Sequence, residues 1–211
     1  MKLAGKIDHT MLKADADAET IRRYCREARE NGFASVCVNT CRVPLAAAEL
    51  KGSPVKVCCV VGFPLGAMLP TAKAFETAEA VRLGAEEVDM VLNIGALKDR
   101  DDTLVREDIR GVVEAAAGKT VKVILETCLL SREEIIKACE LFVEAGADFV
   151  KTSTGFSTGG ATVEDVTLMK QIVGDRARVK ASGGIRTPEQ AEALLQAGAD
   201  RLGAGNGLAL L

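Results

Sequence analysis

Two lysines stand in short apolar runs where their side chains could do chemistry. Lys151 lies within ADFVKTS and Lys180 within RARVKAS, and both runs have the composition of β-strands. Because side chains alternate between the faces of a strand, an outward Val150 and an outward Val179 put both lysines on the inward face. When two ammonium groups lie close together in a partly desolvated interior, one of them is favoured in the uncharged form. An uncharged amine can form a Schiff base with a carbonyl. Taken alone, Lys180 could equally be a partner for a phosphate or a carboxylate.

Two carboxylates are predicted to face the same way as these lysines. The alternation of side chains turns Asp89 inward in EEVDMV, and it turns Asp8 and Thr10 inward in KIDHT. Such carboxylates could relay protons or could neutralise buried ammonium groups, and the sequence favours neither role. Lys122 and Glu126 share an inward register in KVILE and are a candidate structural pair.

Histidine occurs only once, as His9, and this excludes several kinds of active site. Zinc sites with three histidines, HExxH helices and two-histidine iron sites are all impossible. We interpret His9 as structural and Cys37 as a residue that lines a pocket. The seven cysteines match neither zinc-ribbon spacing nor a disulfide scaffold, which indicates buried thiols in a reducing cytoplasm.

Glycine-rich segments follow the last three predicted strands. They read STGFSTGG, ASGG and GAGNG, and they hold eight of the eleven glycines that come just after a strand. Glycine lets backbone N–H groups approach a ligand closely, and the ends of the last strands are a common phosphate site in parallel barrels. Together the three segments predict phosphate binding.

These motifs belong to a chain in which glycine recurs at a regular interval. Eight glycines, on average about 28 residues apart, each precede a β-rich run, and most of them follow a helical segment. That interval suits one strand plus one helix. The helical segments include AETIRRYCREAREN, TAKAFETAEAVRL, SREEIIKACELFVEA and TPEQAEALLQA. Ser131 with Glu134 three residues later predicts a capping box, and Pro188 fits the first position of a helix.

Eight strands alternating with helices predict an α/β fold, a (β/α)8 or TIM barrel of minimal size. An open doubly wound sheet is less favoured, because no GxGxxG follows an early strand. Only residues 208–211 follow the last loop, so we expect a very short or absent eighth helix. Without an internal linker or a low-complexity segment, residues 1–211 are expected to form one domain.

Composition excludes several kinds of partner. A net charge of −3 gives no general reason to bind nucleic acid or an anionic membrane, and no run is long enough to cross a bilayer. Residues 1–20 lack the apolar stretch of a signal peptide, so we expect a cytoplasmic protein. Small barrels frequently pair, and we expect a homodimer or a higher homo-oligomer.

The chain resembles the deoxyribose-phosphate aldolases, a family of class I aldolases that form Schiff bases. The resemblance covers almost the whole chain, and FVKTSTGF together with KASGGIRT is its most specific part. Shorter matches such as SGGI occur in many phosphate-binding barrels. The matching segments are KIDHTMLK (6–13), SVCVN (35–39), VVGFPLGA (60–67), EVDMVLNIGALK (87–98), KVILET (122–127), ADFVKTSTGF (147–156), VKASGGIRT (179–187) and RLGAGNG (201–207).

The resemblance implies a lyase that reversibly cleaves 2-deoxy-D-ribose 5-phosphate to D-glyceraldehyde 3-phosphate and acetaldehyde, in deoxyribose phosphate catabolism. Lys151 would carry the Schiff base, Lys180 would favour its uncharged form, and Asp89 would move protons with the help of a water. No metal and no other cofactor is implied. Small phosphorylated sugars and aldehydes would contact Asp8, Thr10, Cys37 and Thr152, and their phosphate would rest on Gly155, Gly183, Gly184, Gly203, Gly205 and Asn206.

One departure from the family pattern concerns the phosphate. Family members often carry two adjacent serines after strand 8, where this chain has Gly205 and Asn206. Two hydroxyl donors are thus replaced by bare backbone and an amide, which can still donate. We expect weaker phosphate affinity or more tolerance of aldehydes that lack a phosphate.

Two other functions stay open from the sequence. The chain could be another class I sugar-phosphate aldolase, or a barrel that binds a phosphorylated metabolite without catalysis. Trapping with borohydride separates them, since only an aldolase yields a stable lysine adduct.

Overall fold

Eight parallel strands close into a barrel in the computed structural model, which describes residues 3–211. Each strand pairs with the next one along the chain, and the last strand pairs with the first. This arrangement confirms the predicted (β/α)8 barrel. The strands are β1 (Ile7–Met11), β2 (Ser35–Asn39), β3 (Lys56–Val61), β4 (Glu87–Val91), β5 (Thr120–Ile124), β6 (Phe149–Lys151), β7 (Arg178–Ser182) and β8 (Arg201–Ala204).

Helices connect the strands, and four of them match the predicted segments to within one residue at each end. The fourth connection holds two helices where the sequence predicts one. The helices are α1 (Ala18–Asn31), α2 (Val43–Glu49), α3 (Pro70–Arg82), α4 (Ile94–Lys98), α5 (Asp102–Ala115), α6 (Arg132–Ala145), α7 (Val163–Val173) and α8 (Pro188–Gln196).

No α-helix follows β8 in the part of the chain that is described. A short 3-10 turn, Gly207–Leu210, lies there instead, which confirms the expectation that the last strand is followed by a very short helix or none. Leu210 is fully buried, so this turn still covers part of the barrel.

Local sequence explains where the helices begin and end. Ser131 and Glu134 form the predicted capping box at the start of α6, and Pro188 occupies the first turn of α8. Gly32 and Gly146 end α1 and α6 with a left-handed backbone, which costs glycine little. These ends fix the angle at which each helix returns to the sheet.

An aliphatic core lies between the strands and the helices. Val150 and Val179 belong to it and are fully buried, as the alternation of side chains predicts. Burying a valine stabilises the fold by roughly 1.5–3 kcal/mol, so the many buried valines hold each strand with one face outward. That leaves the opposite face, with Lys151 and Lys180 in register on β6 and β7, for the barrel interior.

The length and the hydropathy of the helices decide whether any of them could cross a membrane. Within residues 3–211, none of them is both long enough and apolar enough to span a bilayer.

Candidate active site

Asp89 lies at the centre of the barrel interior and contacts three lysines. Its Oδ1 is 2.8 Å from Nζ of Lys122. Its Oδ2 is 2.7 Å from Nζ of Lys151 and 2.7 Å from Nζ of Lys180. All four side chains are buried, so one carboxylate holds three amines that come from β5, β6 and β7.

Two further carboxylates and an arginine complete this buried network. Nζ of Lys180 is 2.5 Å from Oδ2 of Asp8, and Nζ of Lys122 is 2.6 Å from Oε2 of Glu87. Arg201 on β8 joins these two carboxylates, since its guanidinium donates to Asp8 and to Glu87. We call these seven residues the Asp89 cluster: Asp8, Glu87, Asp89, Lys122, Lys151, Lys180 and Arg201.

The charges in the Asp89 cluster hold one another in place. Burial alone would raise the pKa of Asp89, but the three lysines outweigh it and keep this pKa well below its usual range. For Lys180, burial would lower the pKa, but Asp8 and Asp89 outweigh it and raise the pKa above its usual range. Burial would likewise lower the pKa of Lys122, but Asp89, Cys58 and Glu87 outweigh it and raise this pKa above its usual range.

Lys151 differs from the other two lysines in its surroundings. Its only carboxylate contact among the described residues is with Asp89, and its side chain is 3% exposed. It lines a cavity of about 540 Å³ at the end of the barrel where the strands finish, whereas Lys122 and Lys180 lie beneath the lining. Of the three lysines that contact Asp89, a small molecule in that cavity therefore reaches only Lys151.

Glycines form one wall of this cavity. Gly155, Gly183 and Gly184 have φ angles of 83°, 89° and 77°, in the left-handed region where a Cβ would be strained. They line the cavity with Gly203 and Gly205, so the wall is largely bare backbone. Successive amides in such turns form concave sites for anions.

Gly203 has a further reason to lack a side chain. It lies inside β8, where a Cβ would come within 3.1 Å of Cε of Lys180 and 2.9 Å of Cβ of Ser182. Its bare backbone thus makes room for the buried lysine as well as for a ligand.

Several residues selected from the sequence lie away from the cavity lining. Thr152 joins β6 to β7, because its hydroxyl donates to the carbonyl of Ser182 at 3.0 Å. Cys37 packs in a small interior cluster with Leu12, Cys58 and Val60. Asn206 is exposed and does not line the cavity, while Thr10 does.

The predicted pairing of Lys122 with Glu126 is wrong. Strand β5 ends at Ile124, and Glu126 has a left-handed backbone with φ of 59°, so the alternation of faces does not extend to it. Its carboxylate instead accepts hydrogen bonds from the N–H and hydroxyl of Thr154. Glu126 therefore holds the loop after β6.

The sequence reasoning missed nine of the sixteen residues that line the cavity. The signal available for Lys13 was its position directly after β1, and for Thr154 its place in the glycine-rich segment. For Tyr24, which reaches in from α1, no sequence signal was available. The missed lining residues are Met11, Leu12, Lys13, Tyr24, Thr154, Phe156, Ser182, Ile185 and Ala204.

One group of donors inside the barrel resembles a metal site. Sulfur and oxygen atoms of Cys37, Cys58 and Asp89 lie within 4.8 Å of one another. However, Nζ of Lys122 already lies 3.5 Å from Sγ of Cys58 and 2.8 Å from Oδ1 of Asp89. A cation would have to displace this ammonium group beside two further lysines, so the donor set does not fit a metal ion.

Comparison with protein families gives a match along the described chain. The family model of the DeoC/LacD family aldolases matches residues 3–211. A deoxyribose-phosphate aldolase of Listeria monocytogenes is 59% identical over 212 residues, which cover 100% of this chain and 95% of the relative. The corresponding protein of a Geobacillus species is 60% identical over 210 residues, covering 99% of this chain and 94% of that one.

Solved structures agree with the sequence comparison. The deoxyribose phosphate aldolase of Aeropyrum pernix, described as having a unique tetrameric structure, superposes with a TM-score of 0.92 at 33% identity. The superposition covers 99% of this chain and 88% of that one.

Proposed function

The chain belongs to the DeoC/LacD family of aldolases, and we propose that it reversibly cleaves 2-deoxy-D-ribose 5-phosphate through a Schiff base on Lys151. The products are D-glyceraldehyde 3-phosphate and acetaldehyde, which makes the enzyme a carbon–carbon lyase. The similarity to curated deoxyribose-phosphate aldolases along the full chain supports this substrate.

The charge balance of the Asp89 cluster carries the proposal. Four cationic side chains face three carboxylates, so one amine can lose its proton and leave every carboxylate paired. If Lys122 or Lys180 lost its proton, two contacts between an ammonium group and a carboxylate would be lost. Lys151 makes only one such contact, to an oxygen that Lys180 also contacts. Lys151 is also the lysine of the cluster that faces the cavity, so the amine with the fewest carboxylate contacts is the one a carbonyl can reach.

The reaction begins when the Lys151 amine attacks the C1 aldehyde of the open-chain sugar. The carbinolamine loses water to give a protonated imine, which withdraws electrons from C2. The C2–C3 bond then breaks while the C3 hydroxyl loses its proton, so that C3 becomes the aldehyde of glyceraldehyde 3-phosphate. Protonation of the enamine at C2 and addition of water release acetaldehyde and the free amine.

Asp89 and Lys180 act on Lys151 through fixed contacts. The Asp89 carboxylate accepts from the Lys151 amine at 2.7 Å, which orients it and offers a path for its proton to a water. Lys180 stays charged because Asp8 and Asp89 outweigh burial and raise its pKa, and its ammonium group shares Oδ2 of Asp89 with Lys151.

The glycine wall is proposed to bind the phosphate. Gly155, Gly183 and Gly184 present backbone to the same cavity that Lys151 lines. Binding energy gained there would hold the C1 aldehyde at the amine, which raises the rate by positioning.

Trapping with borohydride tests the proposal. Reduction in the presence of acetaldehyde should leave one ethyl group on Lys151, found by peptide mass spectrometry, and Lys151→Ala should carry no adduct and show no turnover. Lys170→Ala, on an outer helix, is the matched control and should be labelled like the wild type. An adduct on another lysine, or none with either acetaldehyde or the sugar phosphate, would refute the proposal.

We further propose that the enzyme works in the cytoplasm as a homo-oligomer. All seven cysteines are free, and Cys41 and Cys128 are exposed, which suits a reducing compartment. The tetrameric Aeropyrum relative and the exposed Leu65, Leu69 and Phe75 support self-association. Light scattering on the purified protein measures the oligomeric state. A monomer at micromolar concentration would contradict the proposed homo-oligomer.

A further inference from the structure

The single histidine and the single tyrosine of the chain lie together beside the loop that follows β8. The rings of His9 on β1 and Tyr24 on α1 are stacked with centroids 4.1 Å apart and planes 17° apart. His9 is buried, while Tyr24 reaches the cavity and lines it beside Gly205. The mechanism above uses neither ring.

Each ring fixes one peptide group of the loop. The Tyr24 hydroxyl donates to the carbonyl of Gly205 at 2.7 Å. The N–H of Gly207 donates to Nδ1 of His9 at 3.2 Å. Because a peptide group is planar, these two bonds fix the orientation of both peptide planes that flank Asn206.

The neutral histidine is itself held in one tautomer. Nδ1 accepts from Gly207, so the proton lies on Nε2, which donates to Glu27 at 2.8 Å. Position 207 also has no room for a side chain beside the ring. A Cβ at position 207 would come within 3.1 Å of Nδ1 of His9 and 2.9 Å of Cγ2 of Ile7.

We propose that His9 and Tyr24 are positioning residues that hold the loop 205–207 ready for the phosphate of the substrate. The inference rests on the proposed function. Glycine on both sides of Asn206 gives this loop many conformations when it is free, and ordering it on binding would cost affinity. The two rings order the loop in advance, so the phosphate ester gains affinity that a sugar without phosphate does not.

Tyr24→Phe is the sharpest variant, because it keeps the stacked ring and removes one hydroxyl. We expect KM for 2-deoxyribose 5-phosphate to rise about fivefold with kcat changed less than about twofold. The ratio of kcat/KM for the phosphate ester to kcat/KM for 2-deoxyribose should fall by about the same factor. Ile109→Val, on the buried face of α5, is the packing control and should keep the wild-type ratio.

Two substitutions of His9 separate the loop contact from the contact with Glu27. His9→Asn keeps an acceptor near the place of Nδ1, whereas His9→Gln keeps a donor near the place of Nε2 and loses that acceptor. Both remove the ring, so the loss of aromatic stacking is common to the two variants. The substrate ratio should fall further in His9→Gln than in His9→Asn.

The outcomes are distinct. An unchanged substrate ratio in Tyr24→Phe, or equal ratios in the two His9 variants, would overturn the positioning role. Trapping each variant with acetaldehyde keeps this apart from the proposed function, since the Lys151 adduct needs no phosphate. If the wild type itself formed no adduct, the proposed function would fail first.

Discussion

Buried lysines meet buried carboxylates in two regions of the molecule. Inside the barrel lies the Asp89 cluster. Between helices α3 and α5 lies a single pair, in which Nζ of Lys73 is 2.5 Å from Oδ2 of Asp108. Both Lys73 and Asp108 are fully buried, as are the inner members of the Asp89 cluster. The two regions therefore compare the same chemical groups in two different surroundings.

The pKa values move in opposite directions in the two regions. In the pair, burial lowers the pKa of Lys73 and raises the pKa of Asp108, and their mutual attraction does not compensate. In the cluster, burial acts in the same sense but the opposite charges outweigh it for Asp89 and Lys180. Several opposite charges around one group can thus overcome a desolvation cost that a single partner cannot.

The partners of each group explain this difference. Lys73 has one carboxylate and the carbonyl of Val91, and Oδ1 of Asp108 has no hydrogen-bond partner among the described residues. Asp89, by contrast, contacts three amines. The pair holds two helices and the end of β4 together, while the cluster can lose one proton without leaving a bare charge. Only the cluster has the surplus cation and the cavity that amine chemistry needs.

The largest expected effect concerns the isolated pair. Lys73→Met leaves Asp108 without its cation, so the free energy of unfolding should fall by about 3 kcal/mol in urea titrations. The double variant Lys73→Met/Asp108→Leu should recover part of this loss, since an apolar pair needs no desolvation. Additive losses in the double variant would show that the two side chains do not act as a pair and would break the comparison.

The second effect concerns the cluster. Lys180→Met leaves three cations for the three carboxylates of the Asp89 cluster, so no cation is then in surplus. The pH profile of kcat should move upward by about one pH unit, with activity at neutral pH reduced at least about tenfold. Lys73→Met is the control, and its profile should not move. An unshifted pH profile of kcat for Lys180→Met would contradict the proposed effect of the Lys180 charge on catalysis.

Much of the fold could be predicted from the sequence, because the alternation of side chains determines which residues of a strand face the helices and which face the barrel interior. Val150 and Val179 turn outward, and this alone places Lys151 and Lys180 inside. The pattern fails where the strand stops, as at Glu126, whose left-handed backbone no pattern of hydrophobicity reveals.

Contacts between distant segments are harder to predict than the direction of a strand. The pairing of Lys73 with Asp108 depends on how α3 packs against α5, and a lysine in a helix is usually exposed. Tyr24 enters the cavity from α1 because the eighth connection is short and leaves its loop against that helix. Both contacts follow from tertiary packing, which short-range spacing does not encode.

The smallest expected effect tests the same rule at a neutral group. Burial lowers the pKa of His9 from its ordinary 6.5, against the hydrogen bond and charge of Glu27, with Arg23 lowering it further. One carboxylate again fails to outweigh burial, as in the Lys73 pair. The other side chains that face the ring, Tyr24 and Phe33, carry no charge at neutral pH.

The sign of the pH dependence follows from this shift. Since the unfolded chain binds the proton more readily, the contribution of His9 to stability is complete above about pH 6.5 and declines as the pH falls below it. Between about pH 7.5 and about pH 5.5 the wild type should lose up to about 1.4 kcal/mol more unfolding free energy than His9→Asn, which cannot titrate. Urea titrations at both pH values measure the difference. Equal losses in the two proteins would mean that a single carboxylate can hold a buried cation here, and the contrast with the Asp89 cluster would no longer depend on the number of partners.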